Sequence, residues 1–343
     1  MYYIGCDQHK HYSKVMSKDQ QGIIQQQEKL YHDNRDSIRT YFTQQPKGSV
    51  VALEACGFEP WLCDLIEEAG LTVKLVHPKK TRAIAEEKIK TDDLSASTLA
   101  DLLRADLICE AYHAPAPIRD DRYLGRYRLS LVRMRTMTKN KIHDILARLG
   151  VTLPAATDLF GKTGRQYLET LELKPVYQKA IKGYLQLLDT LNGLIDPIEQ
   201  KLRGVISDKN IYVKMLKTLP GVGPILAHII AAESGDIHRF RNSSKFSGYV
   251  GIIPSLHQSG KIHRLGSITK EGNRYLRWAF VEAAHKAIRF DPYLAQFYNK
   301  IRYKKGKNVA VVAVAHKLAI YTYWILKEQK PFQPKAINER PRI

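Results

Sequence analysis

The sequence has few cysteines, and their arrangement excludes two classes of small, cross-linked protein. No pair has Cys-x-x-Cys spacing, and none belongs to the Cys-x2-4-Cys…His-x3-5-His pattern of a zinc site. A disulfide framework and a zinc ribbon are therefore both excluded, and we interpret the thiols as reduced residues of the protein core. The four residues are Cys6, Cys56, Cys63 and Cys109.

Long continuous apolar runs are also absent. The longest candidate, residues 309–326, is interrupted by His316 and Lys317, and a membrane span requires ~18 consecutive apolar residues. No charged-then-apolar leader precedes Tyr2. We therefore expect a cytoplasmic protein with no membrane partner. Internal repeats and low-complexity segments are absent as well.

Acidic residues are scarce relative to basic ones. The chain has 34 Asp and Glu against 54 Lys and Arg, which gives a formal net charge of +20 and a pI of about 9.6. A charge of this sign favours a polyanionic partner over an acidic or small neutral one, and nucleic acid is the first candidate. At 343 residues and 44% hydrophobic, the chain is long enough for two or three domains.

The first part of the chain alternates between strand and helix patterns. Three strands that form an antiparallel meander are followed by helix, strand, helix and strand. This order is typical of an α/β RNase H-like fold of the RuvC type. The predicted elements are strands 2–6, 13–16 and 23–30, a helix over 35–44, a strand over 50–53, a helix over 60–69 and a strand over 72–76.

The rest of the chain is predicted to be mainly helical. Proline residues near position 115 mark a first boundary, so we expect domains at 1–115, 116–210 and 211–335. Two long helical patterns, 119–149 and 177–206, predict a helical hairpin or coiled coil in the middle domain. The first is strongly basic, which fits a helix that follows a nucleic-acid backbone; a solvated helix face explains the same pattern.

Three acidic residues predict a metal site in the first domain. Asp7 and Glu54 end two strand-like runs, and Asp92 opens a helical pattern. Carboxylates on neighbouring strand ends can converge on one point, and such oxygen ligands suit Mg²⁺ or Mn²⁺. The alternative for a single acid is a turn or a cap, and Asp92 would also interact favourably with a helix dipole. The trio together favours metal-dependent chemistry on a phosphodiester.

Two segments of the third domain are candidate phosphate contacts. Residues 251–273 combine hydroxyl groups, glycines and cations around Ser259, a composition that suits a phosphate-binding loop, although most Ser-Gly pairs are plain turns. Upstream, the segment with Gly221 and Gly223 has the form of a helix-hairpin-helix turn, whose amides can hold a DNA phosphate. A simple Gly-Pro connection between helices is the alternative for that segment.

These motifs, in this order, resemble the signatures of one transposase family, the DEDD transposases of the insertion-sequence family numbered one hundred and ten. The resemblance spans nearly the whole chain. The motifs that carry it are Ile4-Gly5-Cys6-Asp7, Leu53-Glu54-Ala55-Cys56-Gly57, Lys90-Thr91-Asp92, Leu219-Pro220-Gly221-Val222-Gly223, residues 254–260 and Ile268-Thr269-Lys270-Glu271-Gly272-Asn273.

The resemblance implies a RuvC-like domain, a coiled-coil linker and a mainly α transposase domain with a serine nucleophile. Asp7, Glu54 and Asp92 match the first three acidic positions and would hold Mg²⁺ or Mn²⁺, and Ser259 matches the nucleophile. The implied enzyme recombines double-stranded DNA at element ends and target through a covalent serine–DNA intermediate. A bridge RNA guides some members, and an oligomer, a dimer or tetramer, would join the metal site of one protomer to the serine of another.

Further residues complete the predicted site, and one departs from the family pattern. Arg264, Lys270 and Arg277 are our candidates for phosphate contacts, beside the Gly221–Gly223 turn. The family's fourth acid stands three residues after the third, where this chain has Ser95. Ser95 can hold a metal-bound water, but its presence leaves the number of bound ions open.

Two other functions fit the same residues. A structure-selective endonuclease would use the carboxylates with water, rather than Ser259, as the nucleophile. A scaffold derived from a transposase would bind nucleic acid without catalysis, which the serine at position 95 makes plausible. Substitution of Ser259 separates the recombinase from the first alternative, and substitution of Asp7 separates it from the second.

Overall fold

A computed structural model of the protein describes residues 1–82, 84, 92–153, 158–204, 210–259 and 262–334; residues 79, 82, 92–94, 256–259 and 262–265 are described by their backbone alone. The chain forms two compact units, Met1–Ala114 and Pro115–Ile343. The first unit ends at Ala114, one residue before the end of the predicted first domain at residue 115. The further boundary at 210 stays a prediction.

The first unit is built on a five-stranded mixed sheet in the order β3-β2-β1-β4-β5. Strand β1 pairs with β2 in antiparallel and with β4 in parallel orientation, and β5 continues the parallel half. This topology confirms the predicted RNase H-like α/β fold. The strands are β1 (Tyr3–Gln8), β2 (Tyr12–Lys18), β3 (Ile24–Tyr31), β4 (Val50–Glu54) and β5 (Thr72–Val76).

Helices cover both faces of this sheet. On one face, the apolar sides of α1 and α2 pack against Ile4, Cys6, Val51 and Leu53. On the other face, α4 packs its leucines against Ala52 and Val76. The helices of the unit are α1 (Arg35–Thr43), α2 (Pro60–Glu68), α3 (Pro78–Arg82) and α4 (Asp92–Arg104).

Helix α4 crosses β1 in very close contact at Gly5. A Cβ atom on Gly5 would lie 1.9 Å from the carbonyl oxygen of Ala96 and 2.7 Å from the amide nitrogen of Ala100. Because both atoms belong to the helix backbone, no side-chain movement can make room for it. Gly5 therefore fixes how closely the helix approaches the strand.

The cysteines are all free, but they are not all core residues. Cys6 and Cys63 are buried, and burial raises the pKa of the Cys6 thiol. Cys56 is exposed and Cys109 is partly exposed. The prediction of four core thiols was therefore wrong for Cys56, because it follows the end of β4 in the connection to α2 rather than lying within the sheet.

The second unit begins with a long helical hairpin. Its helices pack through leucine and isoleucine side chains, including Ile142, Leu146, Ile181 and Leu185. The sequence predicted both long helices but missed the short one between them. The elements are α5 (Ala116–Arg148), α6 (Lys162–Thr170) and α7 (Pro175–Arg203).

Several arginines of α5 bind protein groups rather than lining a free basic surface. Arg122 donates to the carbonyl of Ala232, Arg126 binds the carboxylate of Glu233, and Arg128 pairs with Glu199 of α7. Arg135 donates to the side chain of Asn192 at 3.2 Å. A charge count cannot distinguish a cation that meets DNA from one that joins two helices. For these four residues, the basic pattern reflects contacts within the unit.

The remaining helices surround a single apolar core that includes Phe246, Phe280 and Leu318. Two strands, Pro254–Ser259 and Ile262–Ile268, form an antiparallel hairpin where the sequence had indicated a loop. The elements are α8 (Ile211–Leu216), α9 (Pro224–Ser234), a 3₁₀ turn (Ile237–Arg239), α10 (Ser243–Val250), β6 (Pro254–Ser259), β7 (Ile262–Ile268), α11 (Arg274–Phe290), α12 (Pro292–Lys305) and α13 (Lys307–Glu328).

Helix α13 is long and apolar enough to cross a membrane by length and composition alone. In the structure it packs into the core of the second unit through residues such as Val314, Leu318 and Tyr323. Core helices commonly pass the same test, so the length and hydropathy of α13 are explained by its burial within the protein.

Two glycine substitutions should have opposite effects on stability. We expect Gly5→Ala to destabilise the first unit by about 3 kcal/mol, because α4 must move away from β1. In contrast, Gly193 is exposed on α7, with no atom within 4 Å of its virtual Cβ, so Gly193→Ala should stabilise by up to about 1 kcal/mol. Thermal denaturation of the two variants checks both signs, and an unchanged Gly5→Ala protein would contradict the close contact.

Candidate active site

The register of the sheet brings two of the predicted acids together. Gly5 of β1 lies beside Ala52 of β4, and Cys6 lies beside Leu53. Asp7 and Glu54 are the next residues on these parallel strands, which lie ~4.8 Å apart. Because side chains alternate along a strand, both carboxylates belong to the face that carries Gly5 and Ala52, the face covered by α4.

The third acid stands at the same end of that face. Ser97 and Asp101 of α4 bind the amine of Lys18, and Lys18 pairs with Tyr3 at the beginning of β1. The helix therefore runs from the Asp7 end of β1 back towards the Tyr3 end. Asp92 precedes Ala96 by about 6 Å along the helix, and Asp7 follows Gly5 by about 6.6 Å along the strand.

The backbone of Asp92 is therefore level with Asp7, although its side chain lies outside the described part of the structure.

Asp7 is partly buried and has a histidine close to it. Its side chain is 19% exposed, and one carboxylate oxygen lies 3.5 Å from Nε2 of His9. The His9 ring in turn packs on Tyr12, with ring centroids 4.7 Å apart. Sequence reasoning did not select His9. Its spacing of two residues from Asp7 was the available signal.

Besides Asp92, helix α4 has two acidic residues, Asp93 and Asp101, at different positions along the helix. Asp101 binds the buried amine of Lys18 at 2.6 Å, at the end of the helix away from Asp7. Its role is to pair a buried cation. Ser95, in the family's fourth position, is half-buried one turn after Asp92, and the side chain of Asp93 lies outside the described part of the structure.

The donor set fits a hard divalent cation. Two carboxylates on adjacent strand ends offer the oxygen ligands that Mg²⁺ or Mn²⁺ prefers, and the backbone of a third acid, Asp92, begins the helix above them. Asp7 and Glu54 are both partly exposed, so a phosphate oxygen and water can reach this end of the sheet. Asp7, Glu54 and Asp92 are the residues that would hold the ion.

Ser259 is the last residue of β6, where its backbone pairs with Ile262 of β7. Only Gly260 and Lys261 separate the paired residues in sequence, and both lie outside the described residues. Ser259 therefore lies at the end of the hairpin where the two strands are connected. The side chains of Ser259 and Arg264 are outside the described part of the structure as well, so their roles stay predictions.

Lys270 and Arg277 lie at the base of this hairpin. The Lys270 side chain is exposed, and its backbone has a positive φ of 53°. Arg277 of α11 donates to the carbonyl oxygen of Lys270 at 3.1 Å and lies within 3.5 Å of the Val250 carbonyl. Lys270 is thus available to a ligand, whereas the Nη1 group of Arg277 is used to hold the base of the hairpin.

The two glycines of the predicted helix-hairpin-helix turn have different surroundings. A Cβ on Gly221 would lie 2.2 Å from the carbonyl of Ala283, so Gly221 allows the turn to pack closely on α11. Gly223 is exposed and forms the N-cap of α9. The amides at this helix end are in the position from which helices bind phosphate.

A buried ion-pair network, which sequence reasoning missed, joins the long helix α5 to the hairpin base. Glu233 of α9 is 2% exposed, and both its oxygens bind Arg126, at 2.6 and 2.8 Å. The pKa of Arg126 is raised mainly by its hydrogen bond to Glu233. Asn273 donates to Glu233 at 2.7 Å, and its side-chain oxygen caps α11.

Asn273 also connects this network to α10. Its backbone amide donates to the carbonyl of Tyr249 at 2.7 Å. The preceding Gly272 has a φ of 144°, and a Cβ there would lie 2.4 Å from the same carbonyl. The sequence signal for Glu233 was the presence of an acidic residue within an apolar helix. It could not reveal the two arginines more than a hundred positions earlier.

Comparisons with known proteins find transposase sequences that match both units of the chain. Residues 4–150 match the sequence profile of a DEDD transposase, and residues 213–299 match that of the "Transposase IS116/IS110/IS902 family". The first match includes all three predicted acids, and the second includes Ser259, Glu233 and Asn273.

Curated relatives match over most of their length. The chain is 28% identical to a probable family 20 transposase of Pseudomonas aeruginosa, over 88% of this chain and 90% of the relative. It is 27% identical to the transposase for element IS1328 of Yersinia enterocolitica, over 82% and 84%. It is 26% identical to the transposase for element IS1111A of Coxiella burnetii, over 84% and 80%. The chain therefore belongs to the IS110/IS116/IS902 family of insertion-sequence transposases, which are DNA recombinases.

Proposed function

We propose that the protein cuts and rejoins DNA at the ends of its insertion element through a covalent bond to Ser259, with a divalent cation held by Asp7, Glu54 and Asp92. The observation that supports this most directly is the parallel register of β1 and β4, which sets Asp7 and Glu54 side by side beneath α4. The same register also fits metal-dependent hydrolysis, so the identity of the nucleophile needs its own test.

The proposed reaction exchanges one phosphoester for another. The Ser259 hydroxyl attacks a backbone phosphorus, an oxygen–phosphorus bond forms, and the bond from phosphorus to one deoxyribose oxygen breaks. The released DNA hydroxyl carries the proton that Ser259 loses. A second DNA hydroxyl then attacks the phosphoserine and restores the serine. When bound, Mg²⁺ or Mn²⁺ would stabilise the negative charge that develops on the phosphate oxygens.

Separate groups would hold the DNA backbone during this exchange. Exposed Lys270 stands at the hairpin base, and the amides at Gly223 stand at the N-terminus of α9. Arg264, on the strand opposite Ser259, is the third candidate. Arg277 would contribute indirectly, because it fixes the Lys270 carbonyl. These contacts are to phosphates, which supply affinity without sequence information.

A guide RNA would supply the sequence information in this proposal. Base pairing by a bridge RNA reads donor and target, so the protein needs mainly backbone and shape contacts, which the net charge of +20 favours. The acids and Ser259 belong to different units of the chain. A dimer or tetramer would allow the acids of one protomer to act with Ser259 of another. Such an enzyme would work in the cytoplasm, at the nucleoid.

A trapping experiment tests the nucleophile. The full chain, purified with its copurifying nucleic acid, is incubated with Mg²⁺ and a plasmid that contains the element with its native flanks, and then denatured. We expect a protein–DNA adduct that survives denaturation in the wild type and is lost in Ser259→Ala. Ser267→Ala is the matched control, because Ser267 is an exposed serine on the partner strand β7.

The outcomes separate the proposed recombinase from its two alternatives. If Ser259→Ala still cleaves the plasmid and no adduct forms in the wild type, the protein is a nuclease that uses water. If neither the wild type nor any variant changes the plasmid, while salt-dependent binding persists, the nucleic-acid-binding scaffold is the correct interpretation. Sequencing the copurified nucleic acid identifies a guide, if one is bound.

A further inference from the structure

We propose a second metal site in the first unit, made of Asp64, Glu67 and His113, that takes a transition-metal ion of the Zn²⁺ type. One ligand atom from each residue lies within 4.8 Å of the other two. Asp64 and Glu67 are three residues apart on α2, so they share one side of that helix. His113 comes from the last residues of the first unit.

The separation between His113 and Glu67 suits two ligands of one ion. Nε2 of His113 lies 3.6 Å from Oε1 of Glu67, which is longer than a hydrogen bond. Around tetrahedral Zn²⁺, with bonds of about 2.1 Å, neighbouring ligand atoms are separated by about 3.4 Å. A small movement of the three side chains towards one point would therefore allow all three to bind one ion, with water as the fourth ligand.

The ligand types indicate which ion fits. Mg²⁺ and Ca²⁺ prefer oxygen ligands, and an imidazole nitrogen is a poor ligand for both. Two carboxylates with one imidazole suit Zn²⁺ and related first-row ions. Two carboxylates and a neutral histidine also balance the double positive charge of such an ion. The cluster therefore differs in chemistry from the all-oxygen set of Asp7, Glu54 and Asp92.

The cluster also differs in place. The buried side of α2 packs on the sheet face that carries Ile4 and Cys6, whereas Asp7 and Glu54 belong to the face covered by α4. The two sites therefore lie in different layers of the unit. An ion at one cannot be shared with the other.

The backbone around His113 is already held in place. Ala111 donates to the Leu75 carbonyl at 2.7 Å, and Glu110 forms a bridge with Val76, so this segment lines the edge strand β5. Ala114, directly after His113, is 3% exposed. An ion would join this edge segment to α2 at the point where the first unit ends. Its role would be to fix the end of the first unit.

Metal titration of the full chain tests the site without any measurement of activity. The protein is stripped with a chelator and supplied with excess Mg²⁺ to occupy the oxygen-only site; Zn²⁺ binding is then followed by calorimetry and thermal denaturation. We expect one Zn²⁺ equivalent that raises the melting temperature. His113→Ala and Glu67→Gln should each weaken it at least about 100-fold, since even residues behind metal ligands change affinity by 10–100-fold.

Two control variants make the result specific. Glu68→Gln, at the exposed neighbour of Glu67, should keep the Zn²⁺ equivalent. Asp7→Asn should keep it too, because Asp7 belongs to the other layer. The proposal is overturned if His113→Ala and Glu67→Gln bind Zn²⁺ like the wild type, or if the equivalent disappears in Asp7→Asn instead. In either case, the His113–Glu67 contact is only an ion pair.

Discussion

Asp7→Asn should abolish DNA strand cleavage while leaving the protein folded. Asparagine has the shape of aspartate but lacks its charge, so the proposed metal site beneath α4 loses one of the two carboxylates that the sheet register aligns. Stabilisation of a phosphate by a bound cation is worth several kcal/mol. We expect the cleavage rate to fall at least about 10³-fold, which corresponds to about 4 kcal/mol.

DNA binding should change little in this variant. Affinity for the backbone depends on Lys and Arg contacts, so binding should remain and should keep its steep dependence on salt. Asp106→Asn is the matched control, because the Asp106 side chain is 93% exposed and pairs only at 3.7 Å with Lys74. Cleavage of labelled DNA and thermal denaturation are measured for both. Wild-type cleavage by Asp7→Asn would show that the acids hold no catalytic ion.

Most of the first unit could be predicted from local sequence signals. Alternation and turn residues gave the strand order, and the position of Asp7 and Glu54 at strand ends followed from it. The approach of α4 could not be predicted this way, because Gly5 does not show by itself which backbone will lie against it. The cluster of Asp64, Glu67 and His113 could not be predicted either, because it depends on a contact between α2 and an edge segment that is distant in sequence.

The second unit was harder to predict for two physical reasons. The hairpin β6–β7 is rich in polar residues, and its composition resembles a phosphate-binding loop as much as a strand pair. The two-residue Gly-Lys connection between Ser259 and Ile262 was the overlooked hairpin signal. The arginines of α5 were read as a surface charge pattern, because their partner, Glu233, is distant in sequence.

Glu233→Gln should destabilise the second unit strongly. Both oxygens of the buried carboxylate bind Arg126, and Asn273 donates to one of them. The substitution removes the negative charge that pairs with Arg126. Breaking a buried ion pair in this way typically destabilises a protein by 3–5 kcal/mol. Because the Arg126 side chain is 41% exposed, water can compensate part of the loss. We therefore expect about 2–4 kcal/mol, measured by denaturant unfolding.

A similar ion pair on the surface provides the control. Arg165 binds both oxygens of Asp189, and the pKa of Asp189 is lowered mainly by this hydrogen bond, but the pair is largely exposed. Asp189→Asn should therefore destabilise by less than about 1 kcal/mol. A double-mutant cycle of Glu233→Gln with Asn273→Ala measures the coupling between α9 and the hairpin base. Equal effects of Glu233→Gln and Asp189→Asn, with no coupling to Asn273, would mean that the buried carboxylate does not hold the base of the Ser259 hairpin.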